Sequence, residues 1–218
     1  MIGAWGVEAH QGSAAEFHAR TVDEPARRAV WWSSVDHPAL VLGSAQRPEV
    51  ADADALAAAG VELVRRRSGG GAVLLVPGEV AWADVIVPAD DPLWHDDVGR
   101  ATHWLGATWA RALDACGLPD LEVHHGPMVR TRWSSLVCFS GLGPGEVHAG
   151  GRKVVGISQR RTRGWARLQC AAYLRWDPAA LTRLLVPPRP EVDQLLGAVL
   201  EVPAPAAAIR AAFEAALP

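Results

Sequence analysis

Lys153 is the single lysine of the chain, since 20 of its 21 lysine and arginine residues are arginine. Arginine- and alanine-rich usage fits codon bias in a GC-rich genome, which accounts for the missing lysines but not for the one that remains. Arginine's rigid fork cannot take over where a compact ammonium on a flexible stem must reach one point. Lys153 follows the hairpin signal Gly150-Gly151 and opens the run Val154-Val155-Gly156-Ile157-Ser158-Gln159-Arg160-Arg161. Strand alternation places it on one face with Val155 and Ile157, against Arg152, Val154, Gly156 and Ser158 on the other. The ammonium then either faces a partly enclosed pocket or, at the end of its strand, reaches out to water.

The second chemical feature is Arg65-Arg66-Arg67-Ser68-Gly69-Gly70-Gly71-Ala72-Val73. Three successive glycines let backbone N–H groups turn inward and let a ligand approach where a Cβ would collide. A flexible hairpin turn is the competing reading, although a tight hairpin needs only one or two such residues. No Gly-Lys-Ser/Thr follows, so this is not a Walker loop. Cys138, before Phe139, is either a buried thiol or a nucleophile that a nearby cation would activate. His124 and His125 are adjacent, so on a strand they point to opposite faces and do not readily share a metal. Gly156-Ile157-Ser158-Gln159-Arg160 lacks the last glycine of a nucleophile elbow.

Charge is unevenly placed. Residues 147–176 contain seven cations and no aspartate or glutamate, within a chain of net charge −3. Such a local positive patch fits a phosphate, a carboxylate or an acidic partner, and the acidic balance elsewhere argues against nucleic acid. The 218 residues are 50% hydrophobic and 21% charged, which excludes a disordered tail or a collagen-like fibre. Three cysteines without a CxxC argue against a disulfide framework or zinc knuckle. No apolar stretch is long enough to span a bilayer, and residues 1–10 lack the basic and apolar regions of a secretory signal. The expectation is a cytoplasmic protein with no membrane partner.

The elements that must position these residues follow from periodicity and turn chemistry. Strands are expected over residues 28–33, 39–42, 61–66, 72–76, 80–87, 121–124, 136–139, 153–159 and 168–175. Helices are expected over 48–59 with Gly60 as C-cap, 97–115 capped by Asp96 or Asp97, 178–185, 191–200 and 205–216. The first 26 residues read as polar and turn-rich. Strands grouped around a few helices predict an α+β fold with a mixed, mainly antiparallel sheet flanked by helices.

Taken together, three segments resemble the superfamily of lipoate–protein ligases, octanoyltransferases and biotin–protein ligases, on its lipoate side. They are Val41-Leu42-Gly43-Ser44-Ala45-Gln46 with Glu49, then Arg66-Arg67-Ser68-Gly69-Gly70-Gly71-Ala72-Val73, then Gly151-Arg152-Lys153 through Arg161. Neither the basic glycine-arginine loop nor the Lys-Trp-Pro-Asn-Asp segment of the biotin branch is present. The resemblance covers residues 27–185 and implies a single catalytic domain over 1–218 with an apolar acyl tunnel. It implies an enzyme of the lipoate–protein ligase A type, activating lipoate or octanoate with ATP and Mg2+ as acyl-AMP. The acyl group then passes to a lysine of an acyl-carrier (lipoyl) domain. Lys153 would touch the acyl carboxyl oxygen and the α-phosphate, where an ammonium stabilises developing negative charge. Gly69, Gly70, Gly71 and Ala72 would line the substrate or nucleotide site, with Arg66, Ser68, Gly156 and Ser158 beside them.

The sequence departs from this pattern in three places. Leu75-Val76-Pro77-Gly78-Glu79 replaces the usual His-Asp-x-Gly-Asn run, so Glu79 becomes the candidate Mg2+ ligand. The usual His-Gly strand has become Leu168-Gln169-Cys170-Ala171. Little chain follows Leu185, so the C-terminal accessory domain of many ligases is expected to be missing, supplied by a separate subunit or not needed. The Arg-Ser-Gly-Gly-Gly form ranks the ligase first. The alternatives are an ATP-independent octanoyltransferase using Cys138 and a non-catalytic acyl- or nucleotide-binding homologue.

Overall fold

The computed structural model describes residues 4–218. The chain opens on β1 (Gly6–Gly12) and α1 (Ala14–Ala19), then β2 (Ala29–Val35) and β3 (Ala39–Leu42). A 3-10 turn, α2 (Ala53–Ala59), β4 (Glu62–Arg65), β5 (Val73–Leu75) and β6 (Val80–Pro88) follow. Next come α3 (His103–Ala115), β7 (Glu122–Val123), β8 (Val147–Ala149), β9 (Arg152–Arg161) and β10 (Trp165–Tyr173). Three helices close the chain, α4 (Pro178–Arg183), α5 (Asp193–Leu196) and α6 (Ala206–Ala216). No helix among the described residues is long and apolar enough to cross a membrane.

Two sheets result. The larger has seven strands in the order β1-β2-β6-β10-β9-β8-β7, and every pairing in it is antiparallel except β1 with β2. The smaller is β4-β3-β5, parallel on one side and antiparallel on the other. The fold is α+β with a mainly antiparallel sheet, as the strand pattern predicts.

Burial explains the layering. One face of the large sheet packs on α3 and α6 through Trp32, Trp109 and Phe213, whose rings meet edge-on or tilted at 4.5–6.0 Å. β3 is buried on both faces, which is why it reads as a continuous apolar run rather than an alternating one. Its Leu40 and Leu42 face a cluster with Leu56, Leu181 and Leu185, while Ala39 and Val41 face Trp82 of the large sheet. The space between the two sheets is where the site forms.

The structure departs from the sequence expectation in several elements. The N-terminal segment, read as turns, contains β1 and α1. β1 is an edge strand with mostly exposed side chains, so it has no apolar alternation to read. α1 is only six residues long and is announced by a capping box between Ser13 and Glu16 alone. The long helix starts at His103, not 97. Asp97 spends its carboxylate on the Gly99 and Arg100 amides, while the Thr102 hydroxyl donates to the Pro144 carbonyl instead of capping. Residues 136–139 form no strand. Val137 makes an isolated bridge to Ala72, and Cys138–Ser140 is a 3-10 turn. The helix expected over 48–59 breaks at Ala51, with Asp52 capping its second half, and the one over 191–200 shrinks to α5.

Candidate active site

The glycine-rich segment leaves β4 and folds back on itself around Arg66. That side chain is 5% exposed and donates to the carbonyls of Val41, Gly69 and Gly71 at 3.2, 2.7 and 2.8 Å. Arg66 has no carboxylate partner among the described residues, and burial lowers its pKa from the ordinary arginine value. The loop is threaded so closely that side chains are excluded. A Cβ on Gly43 would lie 1.8 Å from the Gly70 carbonyl oxygen, and one on Gly71 would lie 2.7 Å from the Cys138 nitrogen. Both obstacles are backbone atoms, so the loop itself would have to move. Gly43→Ala is therefore expected to cost about 3 kcal/mol of stability. Gly69→Ala, whose Cβ would meet nothing within 4 Å, is expected to stay within about 0.5 kcal/mol. Urea denaturation of the two variants checks this contrast.

Lys153 enters the same region from β9. Val147 pairs with Val155 but His148 pairs with Lys153, so Val154 is an extra residue, a bulge. The bulge reverses the expected alternation. Val154 and Val155 both go into the α3/α6 core, and the Lys153 side chain turns to the other face, the side of Gly156 and Ser158. Its ammonium is 3% exposed, 2.7 Å from Glu146 Oε2, and donates to the Cys138 carbonyl at 3.0 Å. The Phe139 ring centroid is 5.1 Å away. The backbone is pinned as well, Lys153 N–H donating to Ala198 and its carbonyl accepting from Leu200.

Glu146 was not singled out from the sequence. Its carboxylate is 4% exposed and also accepts from the amides of Gly143 and Ile157. A signal was present, because Glu146 is the last acid before the acid-free stretch of residues 147–176.

The two motifs meet at Cys138. Its nitrogen abuts Gly71 and donates to the Ala72 carbonyl, its Sγ lies 3.4 Å from the Cβ position of Gly70, and its carbonyl holds Lys153. Cys138 opens on a cleft of about 450 Å³ between the sheets, part of it continuous with solvent. Val41, Val73, Leu75, Trp82 and Phe139 give the cleft an apolar wall. Facing them is a polar wall that starts on β9 and β10. Ser158 and Ser68 hydroxyls are 3.0 Å apart, Ser68 donates to Gln169 Oε1 at 2.8 Å, and Gln169 Nε2 lies 3.2 Å from His18 Nδ1.

His18 also escaped the sequence reading, because α1 itself did. The helix is held against the sheet by Arg167, which pairs with the buried Asp84 and donates to the Phe17 and Arg20 carbonyls. Burial first, then the charges of Arg167 and Arg66, push the His18 imidazole from 6.5 down to about 3. Across that window the unfolded chain binds a proton that the folded chain does not, so stability falls as pH falls through it. This group contributes a slope of up to about 1.4 kcal/mol per pH unit. Urea midpoints across the window are expected to follow that slope, and His18→Gln is expected to flatten it.

Of the residues expected from the sequence, Arg66, Cys138, Gly156 and Ser158 line this cleft, Ser68 joins it through Ser158, and Gly70, Gly71 and Lys153 lie behind Cys138, against its Sγ, nitrogen and carbonyl. Gly69 lies on the open rim of the loop. Ala72 is adjacent, but its N–H donates to the Leu136 carbonyl and is not free for a ligand. Glu79 stands apart, 3.3 Å from Arg175, on a separate hollow with Tyr173 and Trp176. Among the described residues no three histidine, cysteine or acidic side chains converge as a metal site. Glu146 and Asp84, like the more distant Glu79, are each paired with a cation. The side chains alone therefore form no cage for a divalent cation, and Mg2+ here would be held mainly by the phosphates of a nucleotide and by water.

A family model, the lipoyl protein ligase A/B catalytic domain, matches residues 12–214. The octanoyltransferase LipM of Kyrpidia tusciae is 32% identical over 191 residues, covering 84% of this chain and 67% of that protein. A lipoate protein ligase of Thermoplasma acidophilum with bound lipoic acid superposes with a TM-score of 0.73 at 19% identity, over 99% of this chain and 84% of that one. A lipoate–protein ligase A bound with ATP gives 0.73 at 20% identity, over 98% and 83%. At these identities the two solved structures speak for the fold.

Proposed function

The chain belongs to the lipoyl protein ligase A/B catalytic-domain family, and from that premise we propose that it is an acyltransferase working through Cys138. It takes a lipoyl or octanoyl group from a carrier thioester and gives it to a lysine of a lipoyl domain, without ATP. The observation that carries this reading is the placement of Cys138, at the meeting point of the glycine loop, the buried ammonium and the apolar cleft. The similarity to an octanoyltransferase supports it.

The reaction needs no group beyond these residues and the two substrates. Cys138 Sγ attacks the thioester carbonyl. A carbon–sulfur bond to the enzyme forms, the bond to the donor breaks, and the donor leaves as a thiol carrying the proton that Cys138 gave up. The amine of the acceptor lysine then attacks the acyl-enzyme. A carbon–nitrogen bond forms, the carbon–sulfur bond to Cys138 breaks, and the amine's proton restores the thiol. In both steps the Lys153 ammonium, held directly behind Cys138 by Glu146 and the Cys138 carbonyl, stabilises the negative charge that develops on the reacting oxygen. The apolar wall of the cleft keeps the alkyl chain out of water.

The test offers a lipoyl domain with either an octanoyl or lipoyl carrier thioester alone, or the free acid with ATP and Mg2+. Amide formation from the thioester without nucleotide is expected. Formation only from free acid with ATP returns the ligase reading, and binding without either product leaves a non-catalytic homologue.

A further inference from the structure

The polar wall of the cleft has a direction. Gln169 Oε1 accepts from Ser68, so its amide nitrogen is turned toward His18. The Ser68 proton is spent on that bond, so Ser158 must donate to Ser68. At the far end Gln169 Nε2 donates to His18 Nδ1, which fixes the neutral ring with its proton on Nε2. The order is therefore Ser158, Ser68, Gln169, His18, each donating to the next.

The chain of donors ends unfinished. His18 is 9% exposed, lines the cleft, and its Nε2–H has no partner among the described residues. The ring cannot swing to find one, since it lies on Trp82 with centroids 4.8 Å apart and α1 is clamped by Arg167. A fixed donor in a largely apolar cleft penalises a plain alkyl chain packed against it and favours a ligand atom that accepts its proton.

We infer that His18 is a specificity-determining residue whose Nε2–H receives a hydrogen-bond acceptor carried on the acyl chain. The class of substrate preferred is an acyl group with an oxygen or sulfur along its length, over the unsubstituted fatty acyl group of the same carbon count. This inference deepens the acyl-transfer reading and rests on it for the identity of the cleft.

The test uses the Cys138→Ser protein and binding of free acids, so it does not depend on turnover. Octanoic acid and a series of hydroxy- and methoxy-octanoic acids, substituted at successive carbons, are titrated by calorimetry. At least one substituted acid is expected to bind about tenfold tighter than octanoic acid. Adding His18→Leu is expected to bring that ratio to about one, while His18→Gln, which keeps an N–H donor, retains part of it. Thermal melts show whether each variant is folded, and His18→Gln alone carries the comparison if the leucine variant is not. Octanoic acid binding as tightly as every substituted acid, a ratio unchanged by His18→Leu, or no acid bound at all would each overturn the inference. Failure of the wild-type protein to transfer an acyl group from a carrier thioester, with the binding preference intact, would instead count against the acyl-enzyme mechanism alone.

Discussion

Replacing Cys138 by serine is expected to lower nucleotide-free acyl transfer by at least about a thousandfold, with little change in stability. Of the two thiols that line the cleft, Cys170 is fully buried and burial pushes its thiol up, which leaves the half-buried Cys138 as the one placed to exchange one thioester for another. A serine hydroxyl there is a far weaker nucleophile at neutral pH. The substitution leaves the fold's use of this residue intact. Cys138 serves the structure through its backbone, the N–H bonding to Ala72 and the carbonyl to Lys153. Stability is therefore expected to stay within about 1 kcal/mol. Transfer rates and urea denaturation on the same preparation separate the two effects. A serine variant that keeps its activity would remove Cys138 from the chemistry.

Lys153→Met is expected to damage both function and fold. Without the ammonium, Glu146 keeps a carboxylate at 4% exposure with only two backbone amides for company. Breaking a buried pair in this way costs about 3–5 kcal/mol, because a charge is left uncompensated. Activity is expected to fall by at least about a hundredfold, the scale of one lost oxyanion donor. Adding Glu146→Gln removes the stranded charge, so the double variant should regain much of the stability while activity stays low. Denaturation midpoints and transfer rates for the single and double variants check the pair. Recovery of activity in the double variant would show that Lys153 serves only to neutralise Glu146.

Much of this site was legible in the sequence because its chemistry depends on residue types that few other roles require. Three consecutive glycines and one lysine among 21 cations are unusual enough to read without coordinates. Which way Lys153 points was not legible, since alternation assumes a regular ladder and Val154 interrupts it. A single extra residue in a strand leaves no trace in hydrophobicity when, like Val154, it stands beside a residue of its own type. His18 was missed for a different reason. Its helix is held by Arg167 from far along the chain rather than by its own periodicity, so no local pattern marks it. Glu79 has the right chemistry for a cation, and its turn delivers it to Arg175 on a separate hollow, a placement that no local pattern announces. Residues 136–139 have strand-like composition, yet the backbone there serves as a wall for the glycine loop, where Ala72 donates to the Leu136 carbonyl and accepts from the Cys138 N–H and no longer ladder forms.

The most direct measurement is the intact mass of the protein after incubation with an octanoyl carrier thioester, with no nucleotide and no acceptor domain, quenched in acid. A covalent gain of one octanoyl group is expected, mapped to Cys138, released by hydroxylamine and discharged as an amide when lipoyl domain is added. An unmodified mass, together with lipoyl-domain amide formed only from free acid and ATP, would contradict the acyl-enzyme mechanism.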